Sequence, residues 1–240
     1  MEKSRIIEDC PVIKTDSVGI KKNTVSAVNQ MINSSDLSFL GNEKAKTRIL
    51  IVGNSITRHG PKPDIGWVGD WGMAASAPEK DYVHRLYAKL IENKQDVFIR
   101  IRQCAFWERN FLRDDILSNY DEEKAFHADV VVFRLGENVT EEDKPYFKDA
   151  LRAFISHICP KKGKTVYTTC FWKNDIIDQA IEEVAKERGE ICLDGFLAKD
   201  KTNMALGQFE HGGVAVHPSD KGMEEIAELI FGTLGQKNLI

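Results

Sequence analysis

The sequence predicts an α/β protein, a three-layer α/β/α flavodoxin-like sandwich around a five-stranded parallel sheet. From residue 47 onward, short apolar runs alternate with segments of helical periodicity. The runs 49–52 and 130–133 are continuously apolar, as expected for strands covered on both faces. Alternating strands and helices favour right-handed crossovers between parallel strands. We therefore expect the strand order 2-1-3-4-5, with the ends of strands one and three side by side.

Each element follows from local patterning. The predicted strands span 48–53, 96–102, 129–135, 164–170 and 190–193. Apolar residues at i, i+3 and i+4 spacing predict helices over 79–93, 109–119, 142–158 and 175–188. Gly189 is expected to cap the fourth helix, and Pro218 to open a last one.

Composition indicates an ordinary globular chain. With 240 residues, of which 42% are hydrophobic and 29% charged, it has the length of one sizeable domain. Residues 1–45 are polar and lack sustained periodicity, so we predict an N-terminal extension there, in which 24–32 form a short helix or strand. Residues 46–240 are expected to form the α/β domain. The net charge of −4 offers no basic surface, and we expect neither a nucleic-acid partner nor a membrane partner.

The five cysteines lack metal-ligand spacing, and no CxxC pair occurs. They are expected to be free thiols in a reducing cytoplasm. The first ten residues lack the apolar core of a signal peptide, and no apolar run has membrane-spanning length. The sequence therefore predicts a cytoplasmic protein without metal or organic cofactor, and it does not determine the oligomeric state.

Three polar segments follow predicted strands or precede a helix. Ser55 comes directly after the first strand and Gly53, where a hydroxyl serves as a nucleophile, a phosphate ligand or a helix N-cap. Asn138 follows the third strand, and His217 precedes the last helix. Together they would supply the nucleophile, amide donor and base that acyl transfer requires.

These segments resemble the sequence blocks of the SGNH hydrolase (GDSL esterase/lipase) superfamily. Gly-Asn-Ser-Ile at 53–56 is similar to the first block, usually Gly-Asp-Ser. Gly-Glu-Asn-Val at 136–139 is similar to the third, and His217-Pro218 to the last. The resemblance covers about residues 47–234. It implies Ser55 as nucleophile, His217 as base, and Asn138 with the backbone N–H of Ser55 as oxyanion donors.

Two departures from the family pattern leave roles to be assigned. The glycine of the second block is missing, and Ala105 is the nearest small residue that would present an N–H to the oxyanion. Val214 stands where the family has its acid, three residues before the histidine. Either a main-chain carbonyl orients His217, giving a Ser–His dyad, or a carboxylate arrives from elsewhere. Glu108 is the preferred carboxylate, ahead of Glu210, Glu137 and Asp194.

The loop after the nucleophile, 57–73, contains His59, Trp67 and Trp71 among several glycines. We predict that these three residues form one wall of the substrate pocket, although tryptophans also fill cores. The predicted function is a serine esterase acting on a short acyl ester of a small molecule or carbohydrate, with acetyl as the expected group. The alternatives are a flavodoxin-like phosphate or nucleotide-binding domain and a non-catalytic SGNH-like interaction module.

Overall fold

A six-stranded sheet forms the middle layer of the protein, for which a computed structural model describes residues 36–159 and 164–236. The segment 24–32 and most of the predicted extension lie outside the described residues. The strands are listed here in chain order: β1 Leu37–Gly41, β2 Thr47–Gly53, β3 Val97–Gln103, β4 Val130–Arg134, β5 Lys164–Thr168 and β6 Ile191–Leu193.

The sheet order is β1-β3-β2-β4-β5-β6. Strands β2 to β6 are parallel and follow the predicted order, so the α/β class and its topology are confirmed. The additional strand β1 lies at the edge and pairs antiparallel with β3. Phe39 of β1 stacks on Phe98 with ring centroids 5.3 Å apart but remains 44% exposed, because an edge strand is only partly buried. Since a partly buried strand does not need apolar residues throughout, β1 lacks the continuous apolar run by which other strands were predicted.

Seven helices are present in the described part of the chain, and the loops also contain short 3-10 turns. They are α1 Tyr82–Glu92, α2 Ala105–Asn110, α3 Asp121–Ala125, α4 Lys144–Ile158, α5 Asp175–Arg188, α6 Gly212–Ala215 and α7 Asp220–Gln236. Gly189 ends α5 in the left-handed conformation, as predicted. The helix predicted over 109–119 is wrong: α2 ends at Asn110, and a 3-10 turn over Ile116–Tyr120 leads into α3.

The two faces of the sheet bury separate cores. Leu50 and Val52 of β2 point into a core that holds the ring stack of Trp107 on Phe154, with centroids 4.5 Å apart. Ile49 and Ile51 point to the opposite face, where α1 packs against α7. This alternation explains why the whole run is apolar. It also holds the carboxyl ends of β3, β2 and β4 next to one another at one edge.

A tight turn at Gly53 ends β2 and carries the chain into Ser55. A Cβ atom at position 53 would lie 1.8 Å from Thr57 Oγ1 and 3.1 Å from the Arg134 carbonyl oxygen. The carbonyl of Asn54 accepts the N–H groups of Thr57 and Arg58, which closes the turn. Only glycine allows this close approach.

We therefore expect Gly53→Ala to lower the free energy of unfolding by about 1–3 kcal/mol, the range for overpacking a tight site. Urea unfolding followed by circular dichroism measures the change. Gly232→Ala is the matched control, because that position lies in α7 with open space around the added methyl group. The control should be neutral or stabilising, and equal effects of the two substitutions would contradict the packing argument.

Candidate active site

Ser55 and His217 meet at the carboxyl edge of the sheet, although 162 positions separate them in the sequence. Ser55 Oγ lies 2.8 Å from His217 Nε2. Ser55 is half-buried in the turn after β2, and His217 is 7% exposed between the short helix α6 and α7. This is the nucleophile–base contact that acyl transfer requires.

A main-chain carbonyl orients the imidazole. The His217 Nδ1 atom lies 2.6 Å from the carbonyl oxygen of Gly213. That carbonyl faces the ring because the backbone N–H of His217 bonds to Val214 instead, as α6 tightens at its end. With the proton on Nδ1 donated to Gly213, the lone pair on Nε2 faces the serine hydroxyl. Val214 itself is fully buried in an apolar cluster.

Glu108 does not orient His217, which corrects our preferred choice of acid. Its carboxylate is fully buried and faces other donors: Asn54 Nδ2 at 3.2 Å, the Gly136 N–H at 2.5 Å and Asn138 Nδ2 at 2.6 Å. The dyad alternative therefore matches the observed contacts. Glu108 instead joins the loop after β4 to the turn after β2.

The predicted oxyanion donors have different surroundings. The Ser55 N–H makes no hydrogen bond among the described residues, whereas Asn138 is 5% exposed and held by Glu108 and Arg109. The Ala105 N–H donates to Gln103 Oε1 at 3.0 Å. Ala105 is therefore not an available donor in this structure, because the side chain two residues earlier already accepts its hydrogen.

Burial is the largest cause of the pKa shifts of His217 and Glu108. Burial lowers the pKa of His217 to about 3, nearby His59 and Arg134 add to this effect, and the bond to Gly213 opposes it. The imidazole is therefore neutral at neutral pH and able to accept the serine proton. Burial, and next the Glu137 carboxylate, raises the pKa of Glu108 to about 7.

The two tryptophans in the loop after Ser55 differ in how deeply they are buried. Trp67 is 2% exposed and donates its Nε1–H to the His59 carbonyl, so it fills a small core under the loop. Trp71 is partly buried, meets Trp67 edge-on at 5.6 Å and donates to the Ala75 carbonyl. For Trp67, the structure favours the core alternative over the pocket wall.

His59 also belongs to that loop and has a buried ring nitrogen available for a ligand. Its Nδ1 contacts the Gly60 carbonyl at 2.6 Å, and its buried Nε2 has no hydrogen-bond partner among the described residues. It acts electrostatically on His217, so it belongs to the same neighbourhood. Burial lowers the pKa of His59 as well.

Sequence reasoning missed Trp172, which follows β5. Its ring meets the His217 ring edge-on at 5.4 Å, and its buried Nε1 also lacks a hydrogen-bond partner in the described part of the chain. An aromatic residue just beyond the end of a parallel strand was the available signal, since ligands bind at that edge. The bridging role of Asn54 between Glu108 and Glu137 was also missed.

Comparison with solved structures confirms the fold. Axe2, an acetylxylan esterase from Geobacillus stearothermophilus, matches with a TM-score of 0.53 and 16% identity over 80% of this chain and 95% of that one. LAE5, an alpha/beta hydrolase enzyme from the metagenome of Lake Arreo, matches with a TM-score of 0.52 and 16% identity, over 80% of this chain and 96% of that one. The psychrotrophic esterase EstA from Pseudoalteromonas sp. matches with a TM-score of 0.50 and 13% identity, over 80% of this chain and 98% of that one. At these identities the comparison shows a shared α/β fold.

No protein-family model matches the chain, and no curated protein matches its sequence. Across residues 36–159 and 164–236, no helix has the length and apolar character needed to cross a membrane. In the same residues, no group of three His, Cys, Asp or Glu side chains is placed to hold a metal ion.

The burial of His217 predicts an unusual pH dependence. With His217 as the predicted base, the neutral imidazole is the form expected to be active, and its pKa is lowered. The acid limb of kcat/KM should therefore have its midpoint well below about 6.5, the ordinary histidine value. A pH series with p-nitrophenyl acetate measures it. Trp172→Ala uncovers the ring and should move the midpoint upward. A wild-type midpoint at or above the ordinary value would contradict the burial argument.

Proposed function

We propose that the protein is a serine esterase of the SGNH type that hydrolyses short acyl esters through a Ser55–His217 dyad. The observation that carries the proposal is the hydrogen-bonded chain from Ser55 Oγ through the imidazole to the Gly213 carbonyl. A hydroxyl becomes a useful nucleophile only when an adjacent base removes its proton, and this geometry supplies that base in the required tautomer.

In the proposed reaction, Ser55 Oγ attacks the ester carbonyl while its proton passes to His217 Nε2. The resulting oxyanion is stabilised by the Ser55 N–H and the Asn138 amide. His217 then gives the proton to the departing alcohol as the C–O bond breaks, which leaves an acyl-serine. Water loses a proton to His217, attacks the acyl carbon and releases the acid, and the proton returns to Ser55.

The orienting carbonyl distinguishes this dyad from a triad. A carboxylate beside the imidazole would stabilise the imidazolium that forms in the transition state, whereas the neutral Gly213 carbonyl stabilises it less. Burial also disfavours the charged ring. We therefore propose a modest turnover number that depends strongly on the remaining stabilisation of the oxyanion.

The phosphate-binding alternative fits the turn after β2 less well. Phosphate loops pass directly into a helix whose N-terminal N–H groups face the anion. Here the turn at Ser55 is followed by a long loop with two 3-10 turns, at Pro63–Ile65 and Pro78–Lys80, and α1 begins at Tyr82. The contact of His217 with Ser55 has no role in phosphate binding, but it is central to ester hydrolysis.

For the substrate, we propose an acetyl group on a polar alcohol such as a carbohydrate. His59 Nε2 and Trp172 Nε1 are buried polar atoms near His217 without hydrogen-bond partners in the described residues, and they suit hydroxyl groups. Arg58 Nη1 also has no hydrogen-bond partner within 36–159 and 164–236, while Arg58 Nη2 donates to Asp70. Axe2, which shares the fold, is an acetylxylan esterase.

Ser55→Ala should abolish turnover of p-nitrophenyl acetate, with a loss on the order of 10⁴ in kcat, because it removes the proposed acceptor of the acyl group. An alkyl fluorophosphonate should label the wild-type protein once, and mass spectrometry of the peptides should place the label on Ser55. Ser118→Ala is the matched control, because Ser118 is exposed and its hydroxyl donates to the Asp115 carbonyl. Undiminished turnover by Ser55→Ala, or failure of the wild type to react, would overturn the esterase and favour the non-catalytic module.

Trp172→Phe should raise KM for acetylated xylo-oligosaccharides several-fold, by about 1 kcal/mol for one lost hydrogen bond, while KM for p-nitrophenyl acetate stays the same. The substitution keeps an aromatic ring at this position and removes the Nε1 donor together with part of the indole. Trp67→Phe is the comparison, because its donor bonds inside the loop and its loss should lower thermal stability without this difference between substrates. Equal KM changes for both substrates would argue against a polar subsite at Trp172.

A further inference from the structure

Asn54 occupies the position at which the superfamily usually has Asp. Its side chain is fully buried, and every polar atom of its amide is used. Nδ2 donates to Glu108 Oε1 at 3.2 Å and to Glu137 Oε2 at 2.6 Å, while Oδ1 accepts the N–H of Ile56 at 3.2 Å. The amide therefore forms a bridge between two buried carboxylates, directly beside the nucleophile.

The other partners of the two carboxylates are also donors. Glu137 Oε1 accepts from Arg134 Nη2 at 2.7 Å and from the Phe171 N–H at 3.1 Å, and the Glu137 side chain is 4% exposed. Glu108 accepts from the Gly136 N–H and from Asn138 Nδ2. In all of these contacts the carboxylate oxygens accept hydrogen bonds, so each glutamate has donors on both of its oxygens.

The sheet order explains why position 54 lies between them. Glu108 comes from α2 after β3, Asn54 follows β2, and Glu137 follows β4, and these three strands are consecutive in the sheet. A carboxylate at position 54 would place a third acceptor group between two other carboxyl groups in a site shielded from water. Like charges at such distances disfavour ionisation strongly. An amide of the same shape removes the conflict and adds two hydrogen bonds.

Asn138 is held at both ends of its amide. Glu108 Oε2 accepts from Nδ2 at 2.6 Å, and the Arg109 guanidinium donates to Oδ1. Opposite charges on the two sides determine which way the amide is turned, because the reversed orientation would place two donors together and two acceptors together. An anchored Nδ2 has a defined direction for each of its hydrogens.

We propose that Asn54, Glu108 and Glu137 are a positioning network that holds the Asn138 amide in its orientation toward the oxyanion. Asn replaces the family's Asp at position 54 because the two glutamates require a donor between them. None of the three is a catalytic residue, since each acts through Asn138 or through the turn that carries Ser55. The inference rests on the proposed esterase function and assigns the origin of its oxyanion stabilisation.

The first test is Asn54→Asp, which restores the usual family motif and changes the shape of the side chain little. Resemblance alone predicts an active variant, whereas the network predicts a loss of about tenfold or more in kcat, within the range for a disturbed oxyanion site, with KM little changed. Turnover of p-nitrophenyl acetate and the rate of fluorophosphonate labelling should fall together. A kcat equal to that of the wild type would overturn the proposal.

The second test is a double-mutant cycle with Glu137→Gln. The single substitution Glu137→Gln places a side-chain NH₂ group either against the Asn54 NH₂ or against the donors Arg134 and Phe171, so this variant should also lose turnover. In the double variant Asn54→Asp/Glu137→Gln, the donor and the acceptor of the bond between the two side chains are exchanged. Its kcat should then be about fivefold or more above the value expected if the effects of the two single substitutions multiplied. Independent effects would contradict the bridge.

Glu108→Gln tests the link to Asn138, since an NH₂ group must then face either the Gly136 N–H or Asn138 Nδ2. We expect kcat to fall by about 10–100-fold without a matching change in KM. Glu123→Gln is the matched control: that glutamate is 1% exposed and bonds to Arg100, away from this edge of the sheet. If both substitutions lower kcat equally, general destabilisation explains the loss and the positioning role is overturned.

Failure of the network and failure of the esterase give different results. A wild type that hydrolyses no ester and resists the fluorophosphonate overturns the proposed function. The same cycle is then evaluated from midpoints of thermal unfolding, which do not depend on activity. Additive midpoint shifts for positions 54 and 137 would overturn the network, whereas recovery in the double variant would support the bridge of donors and carboxylates.

Discussion

The parallel pairing of β2 between β3 and β4 is the constraint on which the site depends. It aligns the carboxyl ends of three strands, so that α2, the turn at Ser55 and the loop at Gly136–Asn138 converge. Each brings polar groups into a region with little access to water. Buried polar groups must find partners within the protein, and the hydrogen bonds between these segments satisfy that requirement.

The base His217 and the predicted oxyanion donor Asn138 have different electrostatic surroundings. His217 is buried, with a neutral carbonyl at Nδ1 and with His59 and Arg134 nearby, so a positive charge on its ring is weakly stabilised. Asn138, by contrast, is held between the charged groups of Glu108 and Arg109. In the proposed reaction, the preorganised polar surroundings thus lie on the oxyanion side. Fixed dipoles in a water-excluded site are effective there, because they need no reorganisation as charge develops.

Several parts of this arrangement were predicted from local sequence. The apolar runs predicted the five parallel strands, and Gly53 at the end of β2 indicated that Ser55 lies at their carboxyl edge. The preference for Glu108 as the acid was wrong, because sequence position suggested proximity to His217 but not the direction of the carboxylate. Trp67 was ambiguous for a related reason: a tryptophan in a glycine-rich loop has the same local pattern whether it packs inward or faces a ligand.

The sequence by itself determined the order of strands, the separation of the apolar faces and the presence of a nucleophile, an amide and a histidine at strand or helix ends. These features depend on the period of the pattern and on turn chemistry, which act over a few residues. Tertiary structure decided that Gly213 orients His217, that Gln103 occupies the Ala105 N–H, and that Asn54 bridges two glutamates. Those hydrogen bonds depend on side-chain directions and on the end of a four-residue helix. Neither leaves a periodic signal in the chain.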